Sequence, residues 1–190
     1  MEQLEVIKWI VRKLEEVDLR YFITGSIASS YYGVPRFTHD IDILLAIGVK
    51  EADEVFNLLR DHGYISKEGI AEALSGSGMF NFIHGESGLK IDFWISKGDL
   101  FETSCFARCR KVEISQGFFA FMGSPEDVLL HKIYWDHLMP SERQIRDAQG
   151  IIAVQASRLD VEYIMEWAKN LGIKEKVEAL LTEKKIPNLE

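Results

Sequence analysis

The chain has 190 residues and a formal charge of −8, with 47% hydrophobic residues that include four Trp and eleven Phe. Such a length suits one domain, or a core with a small second lobe, and the apolar share is enough for a sizeable core. The acidic balance disfavours broad, non-specific binding to nucleic acid, which depends on Lys and Arg meeting phosphates, and no apolar run approaches the ~18 residues of a membrane span.

Residues 2–17 carry Leu4, Ile7, Ile10, Val11 and Leu14 at helical spacing. The spacing predicts an opening amphipathic helix that packs on a sheet, and its charges argue against a secretory signal. Tyr21–Thr24 reads as a strand and Ser26–Tyr32 as a short helix, broken by Gly33-Val34-Pro35. Thr38–Ile47 reads as a second, largely buried strand. Strand side chains alternate, so Asp40 and Asp42 share one face while Ile41 and Ile43 share the other. Like charges ~4 Å apart repel by about 4 kcal/mol at an effective dielectric near 20. The pair must therefore be solvated, shift its pKa or hold a cation. Carboxylates that feed a hard cation, itself bridging substrate phosphates, are the usual way Mg²⁺ is bound. Gly25 lets the backbone approach a ligand closely, and the amides at the start of the following helix suit an anionic phosphate. Arg36 lies four residues before Asp40, where its charge could meet phosphate, offset the carboxylates, or pair with a surface acid. His39 reads as a strand-end residue rather than a base.

Residues 50–62 form a helix stopped by Gly63, Tyr64 and Ile65 a short extra segment, and 67–73 a helical turn. LSGSG at 74–78 reads as a flexible loop, with a substrate-facing lid as the alternative. MFNFIH at 79–84 and LKIDFWI at 89–95 flank HGESG and read as an antiparallel hairpin. Asp92 lies between Ile91 and Phe93 and faces opposite to both. An acid in the middle of such an apolar strand is either exposed on an open sheet face or part of a site, and Asp40 and Asp42 favour the second. Residues 98–109 read as a covering helix, and 110–122 as a second hairpin around Ser115-Gln116-Gly117, with Arg110 and Lys111 solvated. Cys105 and Cys109 are the only cysteines, which argues for reduced thiols in a cytoplasmic setting over a disulfide framework or a zinc site.

After Gly123 the character changes. Ser124 is a good N-cap, Pro125 fits the first helical position, and Glu126 and Asp127 suit the helix dipole, so a helix runs to about His137. Pro140-Ser141-Glu142 starts another through about Gln155. Asp160 caps a third, stopped by Gly172, and a fourth covers 174–184. Trp135, Tyr163, Met165 and Trp167 are expected in the core of this part. Asp147 could be a proton acceptor, but a buried ion pair is the favoured reading. The expected organisation is an α+β core at 1–122, a mixed sheet flanked by helices, with a C-terminal helical lobe at 123–190 packed on it.

Gly25-Ser26, then Asp40-Ile41-Asp42, then Asp92 on a later strand, resembles the nucleotidyltransferase superfamily named after DNA polymerase beta. Its pattern is a Gly-Ser turn, a short helix, a strand with Asp-x-Asp, and a third acid on a later strand. Ser-Pro-Glu-Asp-Val-Leu-Leu-His-Lys, Arg-Asp-Ala-Gln-Gly and Leu-Asp-Val-Glu-Tyr are similar to small bacterial members near abortive-infection toxins and antibiotic nucleotidyltransferases, so the resemblance covers most of the chain. It implies transfer of an NMP from an NTP to a hydroxyl acceptor, with pyrophosphate released. It implies Mg²⁺, with Mn²⁺ as a substitute, held by Asp40, Asp42 and Asp92. Asp92 would bind a second metal or accept the proton of the attacking hydroxyl. It also implies nucleotide contacts from Gly25, Ser26, Arg36 at the edge of the site, and Lys132, for which a solvated lysine is the alternative. The acceptor is left open among a small molecule, a protein and RNA, with no membrane partner. The other readings are a catalytically silent nucleotide-binding module and an interaction protein with an antitoxin-like partner.

Overall fold

Alternating apolar and polar residues in the first two-thirds of the chain produce a seven-stranded mixed sheet, seen in a computed structural model that describes residues 2–183. Among the described residues, those up to Thr24 together with Thr38–Met122 form one compact unit. Gly25–Phe37 together with the chain from Gly123 onward form a second.

The first unit holds the whole sheet, in the order β3-β4-β5-β2-β1-β7-β6. The strands are β1 (Arg20–Ile23), β2 (Asp40–Ala46), β3 (Gly63–Ile65), β4 (Met79–His84), β5 (Lys90–Ile95), β6 (Arg110–Ser115) and β7 (Phe118–Met122). β2 runs parallel to β5 and β1 parallel to β7, while the other neighbours are antiparallel. A bulge interrupts β6 between Glu113 and Ser115. Helices α1 (Gln3–Glu16), α3 (Val49–Leu59), α4 (Lys67–Glu72) and α5 (Leu100–Arg108) belong to this unit, and α2 (Gly25–Tyr32) to the other. The α1 stripe of Val6, Ile7, Ile10, Val11 and Leu14 is buried as its spacing predicts. Trp9 of α1 stacks on Phe82 at 5.7 Å and meets His84 edge-on at 4.8 Å, so α1 covers the sheet face that carries Ile41, Ile43, Ile91 and Phe93. The opposite face carries the acids. Its far end is closed by α5, where Phe106 packs on Phe22 at 4.9 Å and Arg20 lies over the Phe106 ring. The segment read as a loop at 74–78 continues α4 as a wide helical turn, Ala73–Ser77, broken at Gly76.

The second unit is helical: α2, α6 (Pro125–Leu138), α7 (Glu142–Gln155), α8 (Val161–Asn170) and α9 (Lys174–Glu183). Residue 184, the end of the predicted 174–184 helix, lies outside the described residues. Ser124 caps α6 by accepting from the Asp127 amide at 3.2 Å, and Asp160 caps α8 by accepting from the Tyr163 amide at 3.0 Å. Gly172 ends the turn after α8 with a positive φ of 71°. Val128, Leu129, Leu130 and Ile133 of α6 form the core here with Ile164 and Ala168 of α8, whereas of the residues expected in it Trp135 is 38% exposed and Tyr163, Met165 and Trp167 are only half-buried. Among the described residues, no helix is long and apolar enough to cross a membrane.

Candidate active site

The acidic cluster follows from strand register. β2 and β5 are parallel neighbours with Asp42 beside Asp92 and Asp40 beside Lys90. All four side chains therefore stand on one face of the sheet, opposite the apolar residues between them. β4 adds Asn81 beside Asp92. The three predicted acids are thus brought to one patch: Asp92 is 6% exposed, whereas the Asp40 side chain is 45% exposed. The Thr24 amide donates to the Asp42 carbonyl at 2.9 Å, extending the pairing of β1 and β2 to the residue before Gly25.

Three neighbours were not read from the sequence. The Lys90 ammonium lies 2.7 Å from Asp92 Oδ2 and 3.9 Å from Asp40 Oδ2. Asn81 Nδ2 donates to Asp92 Oδ1, and Trp94 Nε1 donates to Asp42 Oδ1 at 3.3 Å. Lys90 and Trp94 share the period-two face of Asp92 in LKIDFWI, so alternation alone could have found them. Asn81 needed the register of the hairpin. The hydrogen bond to Asp92 raises the Lys90 pKa; burial opposes this, and the charges of Asp92, Asp40 and Asp42 add to it. A monovalent cation thus lies where the carboxylates concentrate negative charge. Among the described residues, no three His, Cys, Asp or Glu side chains are already gathered as a metal cage. The donor set itself, carboxylate oxygens on one open sheet face, fits a hard divalent ion such as Mg²⁺ or Mn²⁺.

The other predicted residues belong to the second unit. Gly25 has a φ of +59°, a left-handed conformation that favours glycine, and it begins α2. Arg36 grips the buried Asp147 with two prongs, Nε to Oδ1 at 2.7 Å and Nη2 to Oδ2 at 2.8 Å, and Nη2 also donates to Ser26 Oγ at 2.6 Å. The buried Lys132 ammonium lies 2.9 Å from Asp147 Oδ2, and Ser29 Oγ donates to the same oxygen at 3.3 Å. Of the readings left open, Asp147 therefore makes a buried ion pair, and Lys132 is not a solvated flank residue. Burial pushes the Asp147 pKa up, but the hydrogen bonds and charges of Arg36 and Lys132 outweigh it and hold the carboxyl below its usual range. Arg36 and Lys132 are thus joined through one carboxylate, and Arg36 in turn reaches Ser26. Cys105 is buried and Cys109 partly exposed, and neither forms a disulfide.

No family model and no curated protein matches the sequence. Solved structures do match. The chain is similar to ANT(2'')-Ia in complex with adenylyl-2''-tobramycin, with a TM-score of 0.64 and 14% identity over 91% of this chain and 98% of that one. It is similar to the lincosamide antibiotic adenylyltransferase LnuA, lincomycin-bound, with a TM-score of 0.57 and 14% identity over 81% and 98%. A third match is an antigenic nucleotidyltransferase-like protein from Paracoccidioides brasiliensis, with a TM-score of 0.57 and 14% identity over 97% and 93%.

Proposed function

Because the chain carries the nucleotidyltransferase fold, we propose that it transfers a nucleoside monophosphate from an NTP to a hydroxyl acceptor and releases pyrophosphate. The observation that carries this reading is the register that sets Asp42 beside Asp92 with Asp40 on the same face. Asp40 and Asp42 are the proposed metal ligands, and Asp92 either completes the metal site or receives the acceptor's proton. Bound there, Mg²⁺ or Mn²⁺ would neutralise phosphate charge and orient the triphosphate for in-line attack on its α-phosphorus. Gly25 and Ser26 are proposed to hold phosphate through amides at the start of α2 and the Ser26 hydroxyl. Arg36, which donates to Ser26, and Lys132, which shares Asp147 with it, supply positive charge for the nucleotide. The acceptor is a small molecule, a protein or RNA, and a cytoplasmic location is proposed.

The test is pyrophosphate release by the purified protein with each NTP, Mg²⁺ and a cell extract. Asp42→Asn should lower release at least about a hundredfold, because removing transition-state charge stabilisation has effects of that order. Equal release by wild type and Asp42→Asn would end the proposal. With labelled NTP, the fraction that takes up label identifies the acceptor class. A second reading, a silent nucleotide-binding module or a component held by an antitoxin-like partner, draws on Lys90 occupying Asp92. NTP binding without pyrophosphate release would favour it.

A further inference from the structure

Lys90 reaches inward from a half-exposed position, its side chain 45% exposed, to an Asp92 side chain that is only 9% exposed. Both Asp92 oxygens carry a donor, Oδ2 the ammonium and Oδ1 the Asn81 amide. Asp40 lies further from the ammonium, at 3.9 Å, and Asp42 accepts from the Trp94 indole. The three acids therefore divide. Asp92 is a buried carboxylate that already has its own cation, whereas Asp40 is open and lies at the margin of that cation's reach. Three carboxylates are neutralised by one divalent ion together with one ammonium. A second divalent ion would stand against the ammonium and would have to displace it from Asp92.

We infer that Lys90 is a resident counter-ion that takes the place of a second divalent ion. Asp40 and Asp42 bind one metal, and Asp92 is held for Lys90. Lys90 is thus a positioning residue that sets the metal count of the site. The inference rests on the nucleotidyltransferase reading of the acidic patch.

The experiment is a titration with Mn²⁺ alone, with free Mn²⁺ read by electron paramagnetic resonance and folding checked by circular dichroism. Wild type should bind one Mn²⁺. Of the two roles proposed for Asp92, proton acceptance is kept and metal ligation dropped, so Asp92→Asn should leave that count and affinity within about threefold. Lys90→Met should either add a second Mn²⁺ or tighten binding about tenfold, the scale of change met when a ligand's neighbour is altered. Lys90→Met combined with Asp92→Asn should lose that gain. Two Mn²⁺ on wild type, or a Lys90→Met titration identical to wild type, would overturn the role of Lys90 and leave the nucleotidyltransferase reading standing. Should Lys90→Met fail to fold, a large loss of Mn²⁺ affinity in Asp92→Asn would overturn it by itself. If neither wild type nor Lys90→Met binds Mn²⁺, and Asp42→Asn changes nothing, both inferences fall.

Discussion

Asp147 shows how much one side chain can hold. It accepts from Arg36 and Ser29 and pairs with Lys132, all from buried or half-buried positions. Asp147→Ala would leave two cations without this partner carboxylate, and breaking a buried pair from one side destabilises by about 3–5 kcal/mol. Urea unfolding of the variant against wild type measures this. The pH dependence follows from the lowered pKa. A depressed carboxyl contributes stability above its unfolded value near 3.9, and that stability is lost as pH falls through the lower folded value. The gap between wild type and Asp147→Asn should therefore be widest above about pH 5 and shrink toward pH 2 in acid titrations followed by circular dichroism. Alternation made the shared face of Asp40 and Asp42 legible in the sequence, whereas Asp92 comes beside Asp42 only through the β2–β5 register. The sequence left the Lys90–Asp92 pair unread, although the same alternation covers both. A lysine near a strand start reads as solvent-facing unless its charged partner is already in view.

At the scale of elements, α6 departs most from a simple amphipathic pattern. It buries Glu126, Asp127, Lys132 and Asp136. Each has a partner: Glu126 accepts from the Asp160 amide at 3.1 Å and Asp127 from the Tyr163 hydroxyl at 2.6 Å, while Asp136 pairs with Lys176 at 2.8 Å. The N-cap was legible because Ser-Pro-Glu-Asp is local chemistry. The buried acids were not, because these three partners lie 34 to 40 residues away, although Asp127 also accepts from the nearby Ser124 hydroxyl and Asp136 from the Ser141 amide. Ser124 is fully buried, so Ser124→Ala should destabilise by about 1–2 kcal/mol, the upper part of the capping range, measured by thermal or urea unfolding. A tighter constraint lies where α2 ends on α7. A Cβ on Gly33 would stand 2.8 Å from the backbone of Gly150 and of Ile151. Gly33→Ala should therefore destabilise by about 1–3 kcal/mol through overpacking, whereas the same change at the open Gly117 turn should act only through its positive φ.

For the molecule as a whole, element order and class were readable, since nearly every helix and strand carries its own period and its own stop. The grouping of Gly25–Phe37 with the chain after Gly123 was not announced by any local pattern. It is set by contacts such as Ser29 to Asp147, 118 positions apart, and Gln155 to the Tyr32 carbonyl, 123 positions apart. The net charge of −8 makes a further expectation. Generic duplex DNA or RNA should not be shifted by micromolar protein in gels at ~0.1 M salt, because 30 Asp and Glu outweigh 22 Lys and Arg and repel the phosphates. A nucleotide, by contrast, should raise the thermal midpoint when Mg²⁺ accompanies it and not without it, as ligand linkage requires.

The bulge in β6 has a consequence for how copies of the protein behave in concentrated solution. β6 is the last strand on one side of the sheet, kinked between Glu113 and Ser115 and opening with exposed Arg110 and Lys111; the strand at the other extreme, β3, is three residues long. A twisted, charged rim and a truncated one both deny an incoming chain the straight run of free amides and carbonyls it would need to dock. The sheet stays open at both ends, yet neither margin offers a long, straight edge for polymerisation through main-chain pairing.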